Sequence, residues 1–180
     1  MSILRPSTVK KIFVRKPGYR KINTFIETGT YLAKTIRNML GLFDELHTIE
    51  LSEKLHADAV AKYGHYNIKF HLGDSAMLLP RIAERAAGPI FFYLDAHGFA
   101  RPDVSSGFPL WRELKYISGR PWADIVLVDD VATFGSTGNG VEPGWAKLTT
   151  RKILDYLGSG RNECKMIENN SLIIFRRSVV

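Results

Sequence analysis

The chain has 180 residues, 45% of them hydrophobic, which suffices for one well-filled core and lies within the size of a single domain. One cysteine, Cys164, excludes an internal disulfide framework and an all-cysteine metal cluster, and no uncharged apolar run approaches the roughly 18 residues of a membrane span. The net charge of +7 would suggest a polyanionic partner, but Arg5, Lys10, Lys11, Arg15, Lys16, Arg20 and Lys21 account for all of it and the rest of the chain is neutral. The expectation is a cytoplasmic protein with a basic N-terminal arm, residues 1–21, read as a solvated flexible end without a secretory signal, and one domain over 22–180.

From residue 22 short apolar runs alternate with amphipathic stretches, the pattern of βαβ units around a parallel sheet. Strands are expected at 23–27, 46–51, 67–72, 90–95 and 125–130. Helices are expected at 31–40, 53–63, 75–85, 109–117 and 145–157. Ser52 and Asp74 suit N-caps, and Gly41, Gly64 and Gly88 stand where helices should stop. The chain closes with β-like runs at 165–168 and 171–176, separated only by Asn169-Asn170, a pair that tolerates left-handed backbone and fits a tight hairpin. Two long connections, 96–108 and 131–144, follow strand carboxyl ends, where open α/β sheets bind ligands.

The expected strand ends carry chemistry. Gly29, after the first strand, permits a sharp turn and close approach of backbone N–H groups to a ligand. Glu27 beside it would repel a pyrophosphate but suits the ammonium of a sulfonium amino acid, S-adenosylmethionine, whose carboxylate can meet the backbone donors. Glu50, at the end of the second strand, stands where an acid takes ribose hydroxyls. Asp74 and the Ser75 N–H, after Gly73, are placed to read an adenine edge. Each acid alone reads equally well as a helix cap or a solvated strand end; three on consecutive strand ends do not.

The stretch from Phe25 to Asp95, with FIETGTY, HTIELS, LGDS and YLDAH in order, resembles class I S-adenosylmethionine-dependent methyltransferases. The resemblance implies a Rossmann-like α/β fold: a seven-stranded, mostly parallel sheet ending in an antiparallel C-terminal hairpin. It also implies a cofactor set of Glu27, Thr28, Gly29, Thr30, Tyr31, Glu50, Leu51, Gly73, Asp74, Ser75 and Asp95. Tyr31 and Ala33 depart from it, because such loops usually carry further glycines.

Asp95 and the Asp129-Asp130 pair end neighbouring strands, and converging carboxylates need a cation or a proton to coexist. An Mg²⁺ ion held by Asp95, Asp129 and Asp130 would lower the pKa of an acceptor hydroxyl, with His97 and Asp95 as the catalytic pair and His97 as general base. This arrangement resembles the metal-dependent sugar O-methyltransferases of the macrocin and aminocoumarin pathways and the cephalosporin-hydroxylase-like proteins. The resemblance implies O-methylation of a hydroxyl on a sugar, glycan or small metabolite. His47 and His71 are expected as packed or edge histidines, and His56 and His65 as surface positions. Phe99, Phe108, Trp111, Phe134 and Trp145 flank the long connections and could wall an acceptor site. The alternatives are an RNA-directed methyltransferase using the basic arm, and a non-catalytic binding protein of the same fold.

Overall fold

The structure, a computed structural model, describes residues 3–97, 108–137 and 144–179. Seven strands, β1 (Thr24–Thr28), β2 (Glu45–Glu50), β3 (Lys69–Leu72), β4 (Ile90–Leu94), β5 (Ile125–Val128), β6 (Asn162–Glu168) and β7 (Ser171–Arg176), form one sheet in the order β3-β2-β1-β4-β5-β7-β6. β1 to β5 pair in parallel, and β7 enters antiparallel between β5 and β6. The hairpin arises at Asn169 and Asn170, whose φ angles of 51° and 66° give the left-handed pair that a two-residue turn requires.

Helices α1 (Pro6–Arg15), α2 (Lys34–Asn38), α3 (Glu53–Tyr63), α4 (Ser75–Ala83), α5 (Leu110–Gly119) and α6 (Thr150–Tyr156) cover the sheet. The central strands IFFYL and IVLV are buried throughout because both faces are covered, and successive residues divide between two cores. Phe25, Phe91, Tyr93, Leu127 and Phe175 join Ile12, Phe13, Ile36 and Phe43 on one face. Ile26, Phe92, Leu94, Val128 and Ile174 join Leu79, Leu114 and Ile153 on the other.

The N-terminal segment is not a solvated end. Val9, Ile12 and Phe13 of α1 are buried in the first core, because an apolar stripe at helical spacing loses less by packing than by staying in water. Its cations face outward, where Lys11 and Arg15 both reach Glu168 of β6, at 3.3 and 3.2 Å. The expected helix at 145–157 is also interrupted: Trp145–Lys147 is a single 3-10 turn, and Thr149, extended at φ −141°, starts α6 by accepting from the Lys152 N–H. Ser52 and Asp74 cap α3 and α4 as expected, and Gly64 ends α3, but α4 stops well before Gly88. Beneath the sheet, Asp124 is fully buried, salt-bridged to Arg120 at 3.0 Å and to Arg176 at 3.7 Å, and it accepts from the Ile90 N–H.

Candidate active site

The carboxyl ends of β1, β2, β3 and β4 form one rim. At Gly29, φ is +85° and a Cβ would stand 2.4 Å from the Asp95 carbonyl oxygen, so β1 turns away against the end of β4 only with glycine there. Tyr31 and Ala33 follow at φ 46° and 56°. The side chains that replace the usual glycines therefore keep a glycine-like backbone, at about 1–2 kcal/mol each. These two residues also delay α2, which begins at Lys34 rather than 31. Glu50 braces the turn: its Oε2 accepts from the Tyr31 N–H at 2.8 Å and its Oε1 from the Ser52 N–H at 2.9 Å.

A cavity of about 300 Å³ opens under this turn, lined by Glu27, Gly29, Thr30, Tyr31, Lys34 and Asp95 together with Ile3 and the start of α2. Glu27 is buried, and the Thr48 hydroxyl donates to its Oε2 at 2.6 Å while lying 2.6 Å from the Thr30 hydroxyl. Burial raises the Glu27 carboxyl to about 8, against the Thr48 hydrogen bond and with help from the Glu50 charge. Burial, then the charges of Asp129, Asp130 and Glu27, raises Asp95 to about 9. Among the described residues neither carboxyl has a Lys or Arg within ion-pair distance.

The remaining expected cofactor residues flank this cavity without lining it. Thr28 is buried below, its carbonyl and hydroxyl receiving the Asp95 N–H. Asp74 is engaged as a cap by the Ala76 N–H at 2.9 Å and by Arg112 at 3.2 Å. Leu51, Leu72 and Met77 are exposed beside Glu50, Gly73 and Ser75, and present apolar surface along the ends of β2 and β3 and the first turn of α4.

At the end of β5, Asp129 is fully buried, accepting from the Tyr93 hydroxyl at 2.6 Å and from Ser171 at 2.7 Å. Asp130 sits at φ 60°, and its Oδ1 accepts from Asn170 at 3.3 Å. Among the described residues no three Asp, Glu, His or Cys side chains gather closely enough to hold a metal ion. The two oxygens of Asp129 are taken by hydroxyls, and Asp130 is turned toward the hairpin. His97 is buried, with its Nε2 3.3 Å from the Asp129 carbonyl oxygen and its ring against Phe108 and Trp145, which also touch each other. Burial lowers it to about 4, so it is neutral at pH 7. Facing a carbonyl, Nε2 carries the proton, which leaves the lone pair on Nδ1; that atom has no partner among the described residues.

Phe134 joins this aromatic group through Trp145, whereas Trp111 packs on Tyr156 between α5 and α6. Phe99 and the rest of 98–107 in the first long connection, and 138–143 in the second, lie outside the described residues. Of the histidines, His47 and His71 stack on β2 and β3 with ring nitrogens 3.1 Å apart. Sequence reasoning missed Glu113 and Lys34. Glu113, fully buried on α5, accepts from Ser75 at 2.5 Å and is raised to about 7 by burial. An acid inside an otherwise apolar helical stripe was the available signal. Lys34 had none, because only the fold brings it to the cavity.

No protein-family model matches the chain, and neither does any curated protein sequence. Solved structures do. An SAH-bound methyltransferase from Podospora anserina is 21% identical, with a TM-score of 0.59 over 99% of this chain and 80% of that one. An O-methyltransferase from Bacillus cereus in complex with SAH is 18% identical, with a TM-score of 0.62 over 97% and 82%. MycE, a methyltransferase of the mycinamycin biosynthetic pathway in complex with Mg and SAH, is 18% identical at a TM-score of 0.62, over 94% of this chain but 49% of its own. The chain has the fold of class I S-adenosylmethionine-dependent methyltransferases.

Proposed function

We propose that this protein is an S-adenosylmethionine-dependent methyltransferase acting on a hydroxyl of a sugar or small metabolite, in the cytoplasm. The observation that carries the reading is the pair of carboxyls, buried Glu27 and half-buried Asp95, lining one cavity under the Gly29 turn with their protons held by desolvation. A cavity with uncompensated acids suits a ligand carrying an ammonium and a sulfonium, and exposed Leu51, Leu72 and Met77 suit the apolar faces of its nucleoside.

S-adenosylmethionine supplies an electrophilic methyl group, so the protein's tasks are to align the acceptor oxygen and remove its proton. His97 is neutral, its Nε2–H is fixed on the Asp129 carbonyl, and its Nδ1 lone pair would take the proton of the acceptor hydroxyl. The Asp129 carbonyl and charge beside it favour the resulting imidazolium. Phe108, Phe134 and Trp145 wall the acceptor.

Calorimetry with S-adenosylhomocysteine tests the cofactor reading, and absence of binding rejects it. With binding in hand, His97→Ala should retain affinity and lower turnover ~10²- to 10⁴-fold. A second reading adds a divalent ion shared by Asp95, Asp129 and Asp130, favoured by their mutual repulsion and by the Mg named with the mycinamycin-pathway neighbour. The hydrogen bonds that hold Asp129 and Asp130 weigh against it. Activity that survives EDTA and does not respond to Mg²⁺ removes it.

A further inference from the structure

Lys34 is the first residue of α2 and an exposed member of the cavity lining. The left-handed residues Tyr31 and Ala33 bend the loop so that α2 begins there. Of the side chains that carry a full charge at neutral pH when ionised, the described lining holds three: Glu27, Asp95 and Lys34. That makes two acids and one base around one cavity of about 300 Å³. No ion pair joins Lys34 to any acid among the described residues.

The amino-acid end of S-adenosylmethionine carries the opposite set: an ammonium, a sulfonium and one carboxylate. We infer that Lys34 recognises this carboxylate and so makes the site selective for a cofactor that retains it. The inference rests on the cofactor reading above and deepens it. Glu27, held by Thr48 at the base of the cavity, and Asp95, at the end of β4, take the two positive groups. Lys34 then supplies the one positive charge that the cavity offers the ligand's negative end. Backbone N–H groups of the Gly29 turn can also bind a carboxylate, but three of them are already committed: those of Gly29 and Thr30 donate to the Ile49 carbonyl at 2.9 and 3.3 Å, and that of Tyr31 donates to Glu50. With these three donors engaged, Lys34 is the side-chain cation on this side of the described lining.

The test measures affinity by calorimetry for two ligands that differ only in the carboxylate, S-adenosylmethionine and decarboxylated S-adenosylmethionine. The proteins compared are the unmodified chain, Lys34→Met and Lys34→Arg; the position is exposed, and thermal unfolding checks that each variant folds. The unmodified protein should prefer the carboxylate-bearing ligand by about tenfold, Lys34→Met should abolish that preference by weakening S-adenosylmethionine alone, and Lys34→Arg should restore most of it. A preference that survives in Lys34→Met overturns the inference while leaving the cofactor reading intact, as does an equal loss for both ligands. Failure of the unmodified protein to bind either ligand overturns both.

Discussion

Tyr93 donates its hydroxyl to Asp129 Oδ2 at 2.6 Å, joining the last turn of β4 to the end of β5 at the one point where both strands present acids. The hydroxyl also lies 3.4 Å from Asp95 Oδ2, so a single proton serves two carboxyls. Tyr93→Phe removes that donor and keeps the Ser171 hydrogen bond to Asp129. The variant should lose about 1–3 kcal/mol of stability in urea unfolding, since a buried hydrogen bond to a carboxyl is lost. A Tyr93→Phe protein as stable as the parent would mean that the two carboxyls accommodate each other without the phenol.

The raised carboxyls make stability and binding depend on pH in opposite senses. A carboxyl whose folded pKa exceeds its unfolded value contributes stability below the unfolded value and loses it as pH rises through the folded one. For Glu27 and Asp95 that loss runs up to about 8 and about 9. His97, lowered to about 4, acts the other way: its stability is full above the unfolded histidine value and is lost as pH falls toward 4. Above about pH 6.5 only the carboxyls titrate, so the ligand-free Tm should fall between pH 6.5 and 9. Affinity for S-adenosylmethionine should rise over the same range with proton release, which calorimetry in buffers of different ionisation heat would detect. A flat Tm and no proton release would show that these acids are already ionised.

Glu50 should matter for binding in two ways. In the proposed reading its carboxylate takes the ribose hydroxyls, and in the structure it holds the Tyr31 N–H that shapes the turn. Glu50→Ala should weaken S-adenosylhomocysteine binding by about 1.5 to 3 kcal/mol. Unchanged affinity in the folded variant would move the ribose contact elsewhere.

Asp124 is a structural residue far from the cavity. Asp124→Ala strands Arg120 and Arg176, both buried, and frees the Ile90 N–H. A loss of about 3–5 kcal/mol is expected, read as a lower urea midpoint. Preserved stability would mean that carbonyl acceptors such as those of Ala83, Gly88 and Ser118 satisfy both guanidiniums.

The strands, the C-terminal hairpin and most of the helices were legible in the sequence, because hydrophobic period, capping residues and the Asn169-Asn170 pair act over a few neighbouring residues. The same is true of Glu27, Gly29 and Asp95, which sit at strand ends wherever the strands go. What only the tertiary structure decided involves partners far apart in the chain. The basic segment became a packed helix because its apolar stripe found Phe43 and Phe91. Asp129 was expected to offer free oxygens, but Tyr93 and Ser171 occupy them, and no local pattern announces hydroxyls 36 and 42 residues away. Lys34 joined the cavity through two left-handed residues that a sequence pattern reads as continuing helix. Burial then moved the pKa values of Glu27, Asp95 and His97, because desolvation depends on everything packed around a group and not on its neighbours in the chain.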